Sequence, residues 1–259
     1  MKFIGIIPAR YASTRFPGKP LADICHKPVI RRVYEQAVNA LDTVVVATDD
    51  ERIYDAVEAF GGKVVMTRAD HRCGTDRCLE AYEAITTPTW RAQNDTDTVI
   101  VNIQGDEPFI QPEQIKALTD CFDKGNTQIA TLVRPYTKED SLADLENPNT
   151  PKVVWSKVTG EALLFSRSVI PYMRGVDKSE WLQKGEFYRH IGMYAYRADV
   201  LSEITRLAPG KLELGESLEQ LRWLENGYRI HVGVTDIQTI GIDTPEDLER
   251  AIEWYKYNG

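Results

Sequence analysis

Arg10, Ser13, Arg15 and Lys19 follow one another directly after the apolar run Phe3-Ile4-Gly5-Ile6-Ile7. Three cations and a hydroxyl on a loop bent by Pro17, Gly18 and Pro20 suit a polyphosphate, whose oxygens accept from guanidinium forks and ammonium groups. The apolar run reads as a buried strand, and open α/β sheets place ligands at the carboxyl ends of their strands. Neither G-x-x-x-x-G-K-[ST] nor G-x-G-x-x-G is present, so side-chain cations and loop amides are expected to hold the phosphates. Taken alone, such a loop can also be a solvated basic turn.

A second chemical signal is Asn102-Ile103-Gln104-Gly105-Asp106-Glu107-Pro108, which closes the most apolar strand of the first half. Carboxylates beside a triphosphate repel it, and a bridging Mg²⁺ with oxygen ligands from Asp106 and phosphate reconciles the two. Metal dependence is therefore expected. Asp243 ends another apolar run just before Thr244-Pro245-Glu246-Asp247. Two readings stay open for it: a metal ligand, or a cap and dipole complement for the following helix.

These groups need a scaffold, and strand and helix signals alternate along the first half as in βαβ units. Strands are expected at 3–8, 43–48, 63–67 and 97–104. Pro28 opens a helix with Val29, Ile30, Val33, Tyr34, Ala37 and Val38 at helical spacing, and Asp49 and Asp50 stand at the cap of the next. Thr75 is expected to cap a helix carrying Leu79, Tyr82 and Ile85, followed by a polar loop from Thr86 to Asp97. In the second half, 161–167 and 189–196 read as strands. Pro171 to Phe187 reads as an insertion or lid. A helix at 217–225, a strand with Ile230, Val232 and Val234, and a helix from Thr244 with a capping box restore the α/β order.

Composition sets the outer limits. A chain of 259 residues with 42% hydrophobic residues can bury a sizeable core as one domain, 1–259, with a large insertion. A net charge of -8 opposes nucleic-acid binding, which needs a wide cationic face. Cys25, Cys73, Cys78 and Cys121 form no C-x-x-C pair, which favours free thiols in a reducing compartment. His71, Cys73 and Cys78 make an incomplete zinc set. No secretory leader or long apolar run is legible, so a soluble cytoplasmic protein is expected.

The blocks Ile7 to Leu21, Ala47-Thr48-Asp49, Gly74-Thr75-Asp76-Arg77, Val101 to Pro108, Tyr188 to Tyr194, Leu218 to Arg222 and Gly241 to Asp247 together resemble the 3-deoxy-manno-octulosonate cytidylyltransferase (CMP-Kdo synthetase) family. The resemblance spans nearly the whole chain, in the family's order. It implies an α/β fold with a mostly parallel, doubly wound, Rossmann-like sheet of the nucleotide-diphospho-sugar transferase kind. A smaller insertion, lid and dimer region is expected at about 155–215. The implied reaction joins CTP and the acidic eight-carbon sugar Kdo into CMP-Kdo and pyrophosphate for lipopolysaccharide synthesis in a Gram-negative cell. Two Mg²⁺ ions near Asp106 and Asp243 would neutralise charge.

Carried over by motif, Arg10, Ser13, Arg15 and Lys19 bind the triphosphate, and Gly74, Thr75 and Gln104 meet nucleotide or sugar. Arg10, Lys19, Asp106 and Asp243 are the catalytic set. The resemblance places His190, Glu219 and Gln220 on sugar hydroxyls, with Tyr194 beside them, and Arg167 as the partner of the sugar carboxylate. By pattern alone His190 is a satisfied strand histidine and Glu219 and Gln220 a solvated helix face. Cys73 stands where serine is usual, and Cys25-His26 where a glycine turn is usual. Whether Kdo or its 8-amino analogue is preferred stays open, and a sialic acid cytidylyltransferase or a CTP-binding regulator are the other readings. A homodimer is implied by the resemblance alone.

Overall fold

The first apolar run, β1 (Lys2–Ala9), lies between two other buried strands, β4 (Thr43–Thr48) and β6 (Thr98–Asn102). All three are almost continuously buried, as strands of a parallel sheet covered on both faces must be. The computed structural model describes residues 1–13, 15–123, 125–238 and 240–258, so Thr14 of the basic loop and Thr239 of the run before Asp243 lie outside the described residues. Two compact units emerge, Met1–Lys116 with Ala195–Thr205 and Gln238–Gly259, and Ala117–Tyr194 with Arg206–Ile237.

In the first unit the strands run β5 (Val64–Met66), β4, β1, β6, all parallel, with Ile6 aligned to both Val45 and Asn102. The chain goes from β1 outward to β4 and β5 and returns to the other side of β1 as β6. A crevice opens where the order reverses, beyond the carboxyl ends of β1 and β6. A two-strand hairpin, β2 (Asp23–Ile24) and β3 (Lys27–Pro28), precedes α1 (Val29–Ala40), whose N-cap is Pro28. Asp50 caps α2 (Glu51–Ala59) by accepting from the Arg52 amide.

Two expectations are corrected here. The helix α3 (Gly74–Ile85) begins one residue before Thr75, with Cys73 at the N-cap and no side-chain cap bond. Thr75 is instead buried in the first turn. The expected polar loop 86–97 contains α4 (Pro88–Asn94), capped by Thr87 accepting from the Trp90 amide and opened by proline at its first position. The unit also takes in α8 (Ala198–Ile204) and α11 (Pro245–Asn258), while α5 (Pro112–Thr119) leads out of it.

In the second unit the order is β10 (Tyr188–Arg197), β7 (Ile129–Pro135), β11 (Ile230–Val234), β9 (Glu161–Ser166), β8 (Lys152–Ser156), and β10 continues into the first unit from Ala195. Here parallel and antiparallel pairings mix. The stretch 171–187 carries α7 (Trp181–Lys184) and closes on its own core, in which Trp181 and Phe187 pack with Tyr136 and with Leu145 of α6 (Leu142–Glu146). The helix expected at 217–225 is α10 (Gln220–Glu225), and a further short helix, α9 (Lys211–Glu216), precedes it and ends at Ser217, which takes a left-handed φ of 51°.

Candidate active site

The basic loop is fixed by its own backbone. Gly18 and Ser13 both donate their amides to the Tyr11 carbonyl, at 2.9 Å each. Gly18 has φ +75°, and a Cβ there would press within 2.9 Å of the Tyr11 ring, so glycine is required. Arg52, held at 2.9 and 2.7 Å by Asp50, lies 3.3 Å over that same ring. The loop is thus anchored to the α2 cap while Arg10 and Arg15 stay exposed.

The turn after β6 is drawn against the end of β1. A Cβ on Gly105 would meet the Pro8 carbonyl oxygen at 2.8 Å, so only glycine lets Asp106 sit this close. The Ile242 amide donates to the Asp106 carbonyl at 2.8 Å and brings Asp243 alongside. Asp243 is not the residue that caps α11. The box is made by Thr244 and Asp247, whose carboxylate accepts from the amides of Asp243 and Thr244 at 3.0 and 2.9 Å. The Asp243 side chain points instead to Lys19, whose ammonium bonds Asp243 at 3.1 Å and also Asp106; Arg15 holds the other Asp243 oxygen at 3.1 Å. Two carboxylates and two cations therefore neutralise each other. Lys19 is the most sheltered of the four, with 14% of its side chain exposed against 64% for Arg15.

These groups line a cavity of about 320 Å³, a size suited to a small molecule. His71, Arg72, Cys73, Gly74, Arg77, Gln104 and Gly105 line it as well. Arg77 is locked by Asp49 at 3.0 Å and by Thr67. Cys73 gives α3 no side-chain cap bond, and a helix N-terminus suits an anion. Arg10, Ser13, Arg15, Lys19, Gly74, Gln104, Asp106 and Asp243 all line this cavity, while Thr75 lies buried in the first turn of α3. The wall residues His71, Arg72 and Arg77 were not singled out as site residues, although Arg77 belongs to a quoted block. Asn102, at the end of β6, has a buried Oδ1 with no partner among the described residues.

The carboxylate pair fits a magnesium ion. Both ligands are hard oxygens, and the ammonium between them already stands in for a cation. Magnesium is typically held by one or two carboxylates with phosphate oxygens and water completing the shell. Among the described residues no group of three or more His, Cys, Asp and Glu gathers to form a protein-only cage.

Of the residues expected to contact the sugar, Gln104 lies in the first unit and Arg167, His190, Tyr194, Glu219 and Gln220 in the second. Within the second, the Thr131 hydroxyl lies 3.0 Å from His190 Nε2 and within reach of the Met193 and Ile191 carbonyls at 2.9 and 3.3 Å. With its one proton on a carbonyl, Thr131 accepts from Nε2, and Nδ1 is then the acceptor of the ring. Phe165 and Tyr194 wall the ring at centroid distances of 5.2 and 5.3 Å, and this desolvation lowers the His190 pKa to about 3. His190 is neutral at any physiological pH. Burial, reinforced by the charge of Glu219, raises the Tyr194 pKa well above its ordinary value, so its hydroxyl stays a donor.

A pH dependence follows. Between about pH 6.5 and 3 the unfolded chain protonates His190 and the folded one does not, so the contribution is fully present above pH 6.5 and is lost on acidification. The expected slope is about 1.4 kcal/mol per pH unit at the steepest. Urea denaturation from pH 7 to 4 should show a shallower fall for His190→Gln; an identical slope in both proteins would contradict the assignment.

The Arg167 guanidinium makes three bonds within the second unit: its Nε donates to the Glu216 carbonyl at 2.5 Å, Nη1 to the Pro148 carbonyl at 2.8 Å and Nη2 to the Ser217 carbonyl at 3.2 Å, which leaves one N–H on each Nη. The Arg167 amide donates to the Glu216 carboxylate, which also takes the Ser166 hydroxyl at 2.7 Å. Arg222 clamps Glu213 through two bonds at 2.7 and 2.5 Å, joining α9 to α10. These ties fix the turn at Ser217 and so position Glu219 and Gln220. Gln220 is 4% exposed, and its Nε2 has no partner among the described residues. A buried unmet donor is destabilising unless a ligand completes it.

Residues 4–230 match a cytidylyltransferase family model. The chain is 63% identical over 253 residues to the 3-deoxy-manno-octulosonate cytidylyltransferase of Parabacteroides distasonis, covering 97% of each sequence. It is 52% identical to that of Porphyromonas gingivalis, over 99% of this chain and 97% of that one. Among solved structures, a CMP:2-keto-3-deoxy-manno-octonic acid synthetase complexed with CTP matches with a TM-score of 0.87 and 40% identity, over 100% of both chains. A 4-diphosphocytidyl-2C-methyl-D-erythritol synthase from Anaerococcus prevotii, at 11% identity and a TM-score of 0.59, shares the fold alone over 98% of this chain and 96% of that one.

Proposed function

The chain belongs to the 3-deoxy-manno-octulosonate cytidylyltransferases, and from that premise we infer how it activates Kdo: the anomeric oxygen bonds to the α-phosphorus of CTP as the bond to pyrophosphate breaks. The enzyme is a nucleotidyltransferase, and the observation that carries the residue assignment is the Lys19 ammonium held between Asp106 and Asp243 at the edge of the cationic cavity. Such a reaction leaves little covalent work to the protein; positioning and charge neutralisation supply the rate.

In this reading Arg10, Ser13, Arg15 and Lys19 receive the triphosphate, supported by the α3 N-terminus at Gly74. Asp106 and Asp243 hold Mg²⁺, which would neutralise phosphate charge and acidify the attacking hydroxyl. Gln104 meets nucleotide or sugar in the cavity. His190 accepts a sugar hydroxyl at Nδ1, while Tyr194 and Gln220 donate and Glu219 accepts. A histidine that protonates only near pH 3 is a poor base, so His190 orients the sugar and does not take the proton. Arg167 holds the turn that presents Glu219 and Gln220.

A homodimer is supported by apolar residues exposed on the β8–β9 hairpin, Val158 at 97% and Leu163 at 62%. Light scattering of Leu163→Asp should show the mass falling to that of one chain. No described helix is long and apolar enough to cross a membrane, and a cytoplasmic enzyme feeding lipopolysaccharide assembly is the setting we propose.

³¹P NMR of CTP, Mg²⁺ and Kdo with the enzyme should show one new phosphodiester and equimolar pyrophosphate; CTP hydrolysis without a diester would overturn the reading. Gln220→Leu is a sharper probe of the sugar contact. Removing a buried unmet donor should leave stability unchanged or raised, while KM for Kdo rises about tenfold. A normal sugar KM would remove Gln220 from the site.

A further inference from the structure

Two of the three cations expected on the triphosphate, Lys19 and Arg15, are found on the carboxylates expected on the metal. Lys19 bridges Asp106 and Asp243, and Arg15 closes on the second Asp243 oxygen. We infer that Lys19 is the resident cation of the Asp106–Asp243 pair in the nucleotide-free enzyme, so that metal and CTP must enter together, each releasing the partner that the other needs. The inference rests on the metal reading of the two aspartates given above.

The argument is one of charge exchange. A divalent ion arriving alone must displace the Lys19 ammonium and then tolerate it nearby, in a sheltered place where like charges are poorly screened. A triphosphate arriving alone would draw off Lys19 and Arg15 and leave two bare carboxylates facing phosphate. When both arrive, every charge has an opposite partner again. Lys19 thus moves from carboxylate to phosphate, and the exchange couples the two ligands. Because Arg15 is more exposed and, among the described residues, pairs with Asp243 and not with Asp106, Lys19 dominates the coupling. The arrangement also keeps the carboxylates compact and neutral before substrate arrives, and it gives Lys19 a positioning role toward the metal apart from its contact with CTP.

The test is Mn²⁺ binding, followed by electron paramagnetic resonance and by thermal shift, on the full chain with and without CTP and without sugar. Without CTP, Lys19→Met and Lys19→Gln should bind Mn²⁺ about tenfold more tightly than the parent enzyme and gain melting temperature from it, because the competing state is removed. With CTP present the parent should bind Mn²⁺ at least as well as the variants. Equal nucleotide-free affinity in parent and both variants would overturn the inference. Asp106→Asn separates this from the metal reading. If it leaves Mn²⁺ binding in the CTP complex unchanged, the metal reading and the inference both fail. If it weakens that binding while the Lys19 variants match the parent, only the resident-cation inference fails.

Discussion

Asp106→Asn is expected to lower kcat for pyrophosphate release by about 10³-fold, close to 4 kcal/mol of transition-state stabilisation, while the protein folds and still binds CTP. The size follows from what the side chain does. Asparagine keeps the shape but cannot supply the negative oxygen that a hard divalent ion requires, and it no longer offsets the Lys19 charge. The folding effect is smaller, because the ion pair is partly solvated, with 14% and 27% of its two side chains exposed. A loss of about 1 kcal/mol or less is expected on that account. Asp243→Asn should behave in the same direction with a smaller kcat effect, since its carboxylate is 48% exposed. Steady-state kinetics at saturating CTP and Kdo, alongside a urea melt, check both. Retention of most of the Mg²⁺-dependent rate in Asp106→Asn would remove it from the metal site.

Lys19→Ala is expected to raise KM for CTP by about 10- to 100-fold and to lower kcat, with the KM for Kdo changed little. An ammonium sheltered in a cavity and paired with phosphate contributes a charge-assisted bond, worth roughly 1.5–3 kcal/mol. Its loss falls on the nucleotide because the other cations of the loop, Arg10 and Arg15, are exposed and screened. Initial rates with one substrate varied at a time decide the matter. Apparent affinities for CTP and Kdo that fall together would show that Lys19 shapes the whole site and does not single out the triphosphate.

The first unit was legible because its strands are buried on both faces. Continuous apolar runs such as Val44 to Ala47 and Thr98 to Val101 have one economical placement, and the loops at their carboxyl ends then converge whatever their own sequence. The Thr87-Pro88 start of α4 carried a readable cap, but the helix buries no residue and so shows no apolar stripe. Ser217 was unreadable for a different reason: a left-handed serine has no local signature, and its carbonyl accepts from Arg167, 50 positions away in sequence.

The site residues divide along the same line. Arg10, Ser13, Arg15 and Lys19 are close in sequence, so their common wall could be foreseen, but the pairing of Lys19 with Asp243 spans 224 positions. For His190 the two readings were not exclusive. One nitrogen is satisfied by Thr131, 59 residues away, and the other stays an acceptor. Arg167 has the right chemistry for a carboxylate, and three remote carbonyls take part of its donor capacity, which no local pattern records.

The most direct test of the account is pyrophosphate release by the purified protein with CTP and Mg²⁺, offered Kdo, 8-amino-Kdo and N-acetylneuraminate in parallel, each with an EDTA control and with Asp106→Asn beside the parent. Turnover with Kdo or its amino analogue, abolished by EDTA and by the Asp106 substitution, is the predicted result and fixes the preferred terminal group. Release that persists in EDTA or in Asp106→Asn, or silence with both eight-carbon sugars while CTP still binds, would contradict it.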